Sequence, residues 1–270
     1  MTRLHTGALE IGELDALSRR DSSAHRLDPR AKLLATAVFL ATVVSWGRYE
    51  IVGLLPLAAF PLVLGAIGRV PCGFVARKLL IAAPFVLVLG AFNPIFDTAP
   101  RELAAGIEIS GGWISYLSIV LRFGLTVAAA LALVAVTGMN RLCAAASILG
   151  APRIFVTQLA LLYRYLFVLA AQAQRMSRAA ELRAPGRRRM SIALFGSLVG
   201  HLLLRTFDRA QRIHLAMRCR GFDGDIPLVR PMRFGPWDAA FLAGWIAFFA
   251  AVRVFRLPDL LGGLVLGVWG

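Results

Sequence analysis

Lysine is nearly absent from this chain: Lys32 and Lys78 are the only two, against 28 arginines. Cysteine is also scarce. Cys72, Cys143 and Cys219 are widely spaced and form no metal-ligand or disulfide pattern, which excludes a disulfide-stapled secreted scaffold. No G-x-x-x-x-G-K-[ST] run occurs and neither lysine follows a glycine, so nucleotide phosphates cannot be cradled in the P-loop manner. The histidines, His5, His25, His201 and His214, lack metal-ligand spacing, and the two later ones read as surface or packing residues of a helix. No cysteine lies near a convincing base, which leaves nucleophilic catalysis without support. Carboxylates are almost missing from the apolar runs. Asp97 stands at the edge of one and Asp238 near the start of another, fewer than a proton-coupled carrier needs. The first 27 residues are polar and of mixed charge, with no run suited to a cleavable signal peptide.

What is present pulls in two directions. The 270 residues are 58% hydrophobic, yet the net charge is +15. A nucleic-acid-binding domain could be this basic but has no use for long uncharged apolar runs, so no nucleic acid partner is expected. The class that remains is a polytopic membrane protein whose cationic charge is gathered in particular loops.

Apolar stretches fall at 31–46, 51–68, 79–96 and 112–137, and another runs from Trp237 to Val252. A spanning helix needs about 20 apolar residues, so each is a plausible crossing, whereas the tail Leu257–Trp269 is short for one. Orientation follows from the cations. Arg19, Arg20, Arg26, Arg30 and Lys32 precede the first span, and Arg69, Arg77 and Lys78 separate the second from the third. Asp97, Glu102 and Glu108 face only Arg101 in the next loop. The N-terminus and everything after the fourth span are therefore expected in the cytoplasm. Within the third run, Asn93-Pro94 reads as a kink near the helix end, or as a broken helix beside a transport path. Arg122 inside the fourth is costly in lipid unless it faces protein.

The segment Arg141–Arg233 holds 16 arginines and four acids, which is twelve of the fifteen net charges. It is not a disordered basic tail. Phe195, Leu198, Val199, Leu202, Leu203, Thr206, Ala210, Ile213 and Met217 recur at helical spacing, with Asp208 and Arg212 as a supporting surface pair. They predict a helix over 190–219. Pro152 suits the first turn of an earlier helix over Ile154–Leu182. Both helices end alike. Leu182-Arg183-Ala184 stands before Pro185-Gly186, and Arg218-Cys219-Arg220 immediately precedes Gly221. Glycine there suits a left-handed cap, and arginine complements the negative end of the helix dipole. Either tip alone is equally an ordinary helix end, and attraction to anionic lipid headgroups explains charge but not the matching tips. Two cationic tips in one arginine-rich module read as a docking device for an acidic partner, because guanidinium pairs carboxylate bidentately.

Several of these residues also resemble a known family. His25-Arg26-Leu27-Asp28-Pro29-Arg30-Ala31-Lys32-Leu33-Leu34 is similar to the LDPR-x-KL motif of the transmembrane (T) components of energy-coupling factor (ECF) transporters. Ala216-Met217-Arg218-Cys219-Arg220-Gly221-Phe222-Asp223-Gly224 resembles the second of their two Ala-Arg-Gly motifs, with Cys219 where alanine is usual. The first falls at Leu182-Arg183-Ala184, whose flanks depart from the strict pattern, and Asn93-Pro94 suits the third span. The long polar N-terminus resembles the CbiQ branch, which serves cobalt uptake.

The resemblance implies a non-catalytic, cofactor-free subunit of a bacterial inner-membrane importer. Its partners would be CbiO-like ATPases, a CbiM-like substrate-binding membrane subunit and a small CbiN-like accessory subunit, besides the membrane lipids. Arg183, Ala184, Arg220 and Gly221 would insert into grooves of the ATPase pair, supported by Leu182, Arg218 and Cys219. The expected fold is an all-α polytopic membrane helix bundle of five or six spans. It comprises a cytoplasmic segment 1–30, transmembrane helices over 31–139, a cytoplasmic coupling-helix module over 140–234 and a C-terminal transmembrane segment 235–270. Two other readings stay open: a membrane-embedded enzyme acting on anionic lipids, and a stand-alone secondary carrier.

Overall fold

The computed structural model describes Ser18 and residues 26–96, 100–102, 108–183, 191–224 and 234–254. The N-terminal segment before Ser18, the motif's His25, Pro185-Gly186 and the tail Leu257–Trp269 lie outside the described residues. The chain divides into two compact units, Leu17–Gly138 with Met232–Gly270, and Met1–Ala16 with Met139–Pro231.

The first unit is built from α1 (Pro29–Ser45), α2 (Ala59–Ile67), α3 (Cys72–Gly90), the single turn α4 (Asn93–Phe96), α5 (Gly111–Thr137) and α9 (Pro236–Val254). A short antiparallel hairpin, β1 (Pro100–Glu102) and β2 (Glu108–Ser110), precedes α5. Asp28 starts α1 by accepting the Arg30 amide at 2.8 Å, and Pro29 takes the first position, where its missing N–H costs nothing. The core joins α1, α2, α5 and α9 around stacked and edge-on aromatics. Phe39 and Phe60 lie 4.8 Å apart, and Phe60 meets Trp245 at 4.9 Å and Phe249 at 5.5 Å. Offset aromatic pairs of this kind add about 0.5–1.5 kcal/mol each beyond the area they bury.

The described part of the second unit is three helices: α6 (Met139–Ile148), α7 (Arg153–Arg183) and α8 (Ile192–Cys219). Ser191 caps α8, its hydroxyl accepting the Leu194 amide at 3.2 Å. On α8 the half-buried residues are Leu194, Leu198, Leu202, Thr206, Arg209, Ile213 and Met217. That four-and-three spacing is one continuous helix stripe. Of the apolar face expected there, Phe195, Val199 and Leu203 flank the stripe and stay exposed. The Arg212 guanidinium reaches Asp208 through its backbone carbonyl, at 3.2 Å.

Among the described residues, four helices are long and apolar enough to cross a membrane, α3, α5, α7 and α9, and the chain is an all-α polytopic membrane protein. The runs 112–137 and 237–252 become α5 and α9 almost residue for residue. The first two expected spans are shorter than drawn. At 17 residues α1 reaches about 25 Å, short of a bilayer core. The run 51–68 is two 3-10 turns, Val52–Leu54 and Pro56–Ala58, followed by the nine residues of α2. Pro56 cannot continue a helix from the preceding turn, and Gly53 admits the Trp46 ring where a β-carbon would overlap it. The third run also differs. Pro84, not Pro94, lies inside α3, which ends at Gly90, and Asn93-Pro94 opens α4 instead. The Asn93 side-chain amide donates to the Ser115 hydroxyl of α5 at 3.0 Å. Finally, α7 was expected outside the membrane, yet its apolar first half has the composition of a span and almost none of it is buried.

Candidate coupling surface

The end of α8 is a complete Schellman motif. The Phe222 amide donates to the Met217 carbonyl at 3.0 Å and the Gly221 amide to the Arg218 carbonyl at 3.0 Å. Gly221 has φ of +79°, a conformation that a side chain would strain. The turn after it is anchored as well, because the Thr157 hydroxyl of α7 donates to the Gly224 carbonyl at 3.1 Å. The chain therefore reverses sharply at Arg220. Arg218, Cys219 and Arg220 are left exposed at the helix tip, with Phe222 tucked half-buried beneath.

Arg183 is the last residue of α7 and, like the neighbouring Leu182, is exposed. Ala184, predicted beside it, lies outside the described residues. Arg183 has no described cap to compare with the Arg220 turn. Asn93 and Pro94 belong to the other unit and are not part of this surface.

Residues that the sequence reading left out stand around Arg220. A groove of about 690 Å³ beside the tip is lined by Leu161, Arg164 and Tyr165 of α7, together with Met217, Arg220 and Asp223. Arg164 interrupts the apolar run Leu159–Ala171, and that interruption is the signal that could have marked it. Further along, a mainly apolar groove of about 580 Å³ lies between α7 and α8, walled by Leu162, Tyr165 and Ile213. Arg209 and His214 also line it, and Arg209 Nη1 is buried there without a hydrogen-bond partner. Among the described residues no group of three or more His, Cys, Asp and Glu side chains could hold a metal ion. Burial pushes the Cys143 thiol of α6 above its ordinary pKa, whereas Cys219 is exposed at the tip.

Electrostatically the surface is a cation. Arg164, Arg183, Arg218 and Arg220 are met by Glu181 and Asp223 at the two helix ends. Such an arrangement can hold carboxylates on a partner.

Fold and surface together define an integral membrane protein of the all-α class, and sequence comparison places it more narrowly. Residues 20–230 match the family model described as cobalt transport protein, CbiQ, and the chain belongs to that family. It is similar to the energy-coupling factor transporter transmembrane protein EcfT of Bacillus selenitireducens, with 26% identity over 87% of this chain and 94% of that protein. An uncharacterized protein of Methanocaldococcus jannaschii is 22% identical over 85% of this chain and 81% of its own length. A second protein of that organism, also uncharacterized, is 30% identical, but over only 29% of this chain and 30% of its own length. The recognition made from the Asp28 and Arg220 motifs is thereby upheld: the chain is a transmembrane component of the CbiQ/EcfT type.

Proposed function

We propose that this protein is the transmembrane coupling subunit of an ECF-type importer whose substrate is the cobalt ion. The observation that carries the reading is the Arg220–Gly221 tip, an exposed arginine whose backbone is held at the end of a 28-residue helix by two cap hydrogen bonds. A long helix transmits displacement along its axis, and a cationic end grips carboxylates in a partner's groove. Arg183 at the end of α7 is the second grip, with Ala184, Gly221, Leu182, Arg218 and Cys219 shaping the two contacts.

The partner is a pair of CbiO-like ATPases, since the chain has no P-loop of its own. Closure of that pair on ATP moves α7 and α8. The motion reorients a CbiM-like substrate-binding membrane subunit, assisted by a CbiN-like one. In this reading the subunit is non-catalytic and does not itself hold the metal. The N-terminus and the arginine-tipped ends of α7 and α8 face the cytoplasm of a bacterial inner membrane, following the distribution of arginine. The match to the cobalt transport family supports cobalt as substrate.

The test is co-purification. With Arg183→Glu and Arg220→Glu together, the ATPase should no longer be retained, and uptake should stop while membrane insertion persists. Unchanged retention of the ATPase by the doubly reversed chain would overturn the docking role.

A further inference from the structure

Besides the aromatic core, one carboxylate binds together the starts of two helices that lie at opposite ends of the sequence. Asp238 is the third residue of α9. Its Oδ2 accepts the Gly235 amide at 2.8 Å and so closes the first turn of its own helix. Its Oδ1 accepts the backbone amide of Asp28 at 2.7 Å, across 210 residues of sequence. Asp28 in turn caps α1 through the Arg30 amide, and Lys32, one turn further on, is fully buried. Both carboxylates are almost fully buried, at 5% exposure for Asp28 and 7% for Asp238.

The position of the latch in the chain gives it a mechanical meaning. Among the described helices, α9 follows the Arg220–Gly221 tip next in sequence, with 14 residues between Gly221 and Pro236. Its first turn is where Asp238 joins α9 to α1. The cluster also has unused bonding capacity. Asp28 Oδ2 and Arg30 Nε are both buried without a hydrogen-bond partner, and Arg30 Nε stands 3.9 Å from Asp28 Oδ1. A small rotation of Asp28 would join them, which gives the latch a second arrangement to move into.

We propose that Asp238 is a positioning residue for transport: it makes the starts of α9 and α1 move as one when the coupling helices are driven. This rests on the coupling reading above and adds to it the route by which motion enters the membrane helices. The experiment uses the full transporter complex in liposomes with cobalt(II) as probe, comparing Asp238→Ala, Asp238→Asn and Asp238→Glu. Asp238→Asn keeps size but has one acceptor oxygen where two are needed. Removing a buried acceptor while its donor remains costs enough to lower uptake per ATP hydrolysed about tenfold in the Ala and Asn variants. ATPase retention and ATP turnover should stay near wild type, and Asp238→Glu should recover part of the uptake.

Hydrogen exchange at the Asp28 amide supplies an independent readout: protected in the wild type, it should exchange freely in Asp238→Ala. Uptake per ATP that stays at the wild-type value in Asp238→Ala would overturn the proposal. So would a loss of uptake that merely follows the amount of assembled complex, because that is what a purely structural role predicts. Failure of the coupling reading looks different: wild-type chain would retain no ATPase, while the Asp28 amide would still be protected by Asp238.

Discussion

The two units of this protein treat apolar residues in opposite ways. In the unit containing α1, α5 and α9, Phe39, Phe60 and Phe249 are essentially inaccessible, and they stack within 6 Å of one another. In the unit containing α7 and α8, no residue of α8 is buried and Thr157 alone is buried on α7. Phe155, Phe195 and Phe207 are more than half exposed there. The first unit is built to keep its shape through aromatic packing. The second is held by one stripe, helix caps and a Thr157 hydroxyl, and it leaves its remaining faces and two cationic tips for other molecules. Under the proposed coupling role, the first construction supplies a stiff part to be moved and the second an adhesive part to be pulled.

That contrast can be broken by mutation. Phe60→Ala should destabilise the first unit by about 3–5 kcal/mol, since a buried ring is lost and a cavity left among three aromatic partners. The check is the midpoint of thermal unfolding in detergent. The thiols of the second unit should differ next. Cys219 should react with maleimide at least about tenfold faster than Cys143, because Cys143 is buried and its raised pKa withholds the thiolate. The sign follows from that shift: Cys143 labelling should rise only as pH climbs past the ordinary thiol range, as mass spectrometry can follow.

Gly221→Ala should cost about 1 kcal/mol, the strain of a side chain at positive φ. It should be visible as faster exchange of the Phe222 amide with little change in the first unit. Phe207→Ala on the exposed side of α8 should sit within about 0.5 kcal/mol of wild type. A Phe207 effect as large as that of Phe60 would erase the distinction between the units.

Much of this was legible in the sequence, and the failures have physical causes. The α5 and α9 spans follow directly from uninterrupted apolar runs, and the left-handed turn at Gly221 follows from its place after a periodic stretch. The run 51–68 misled because hydropathy does not register that Pro56 cannot continue a helix from the preceding turn. Asn93-Pro94 was read as a kink or a broken helix; the structure opens the separate turn α4 there, where a proline at the second position costs no hydrogen bond. Arg164 was overlooked in an apolar stretch, and only folding brings it beside Arg220. The Asp28–Asp238 contact joins residues 210 apart, and no periodicity or motif spacing carries that information.

The most direct test of the account compares two charge reversals on one helix. Arg220→Glu changes the tip, while Arg212→Glu changes an exposed position two turns earlier, and both alter the net charge equally. ATPase co-purification with each variant, at the same salt, separates a specific grip from general attraction. Arg220→Glu should reduce retention at least about tenfold, as expected on removing a charge-assisted contact, and Arg212→Glu should leave it near wild type. Equal losses from the two variants, or none from either, would contradict the claim that the arginine tip couples this membrane protein to its motor.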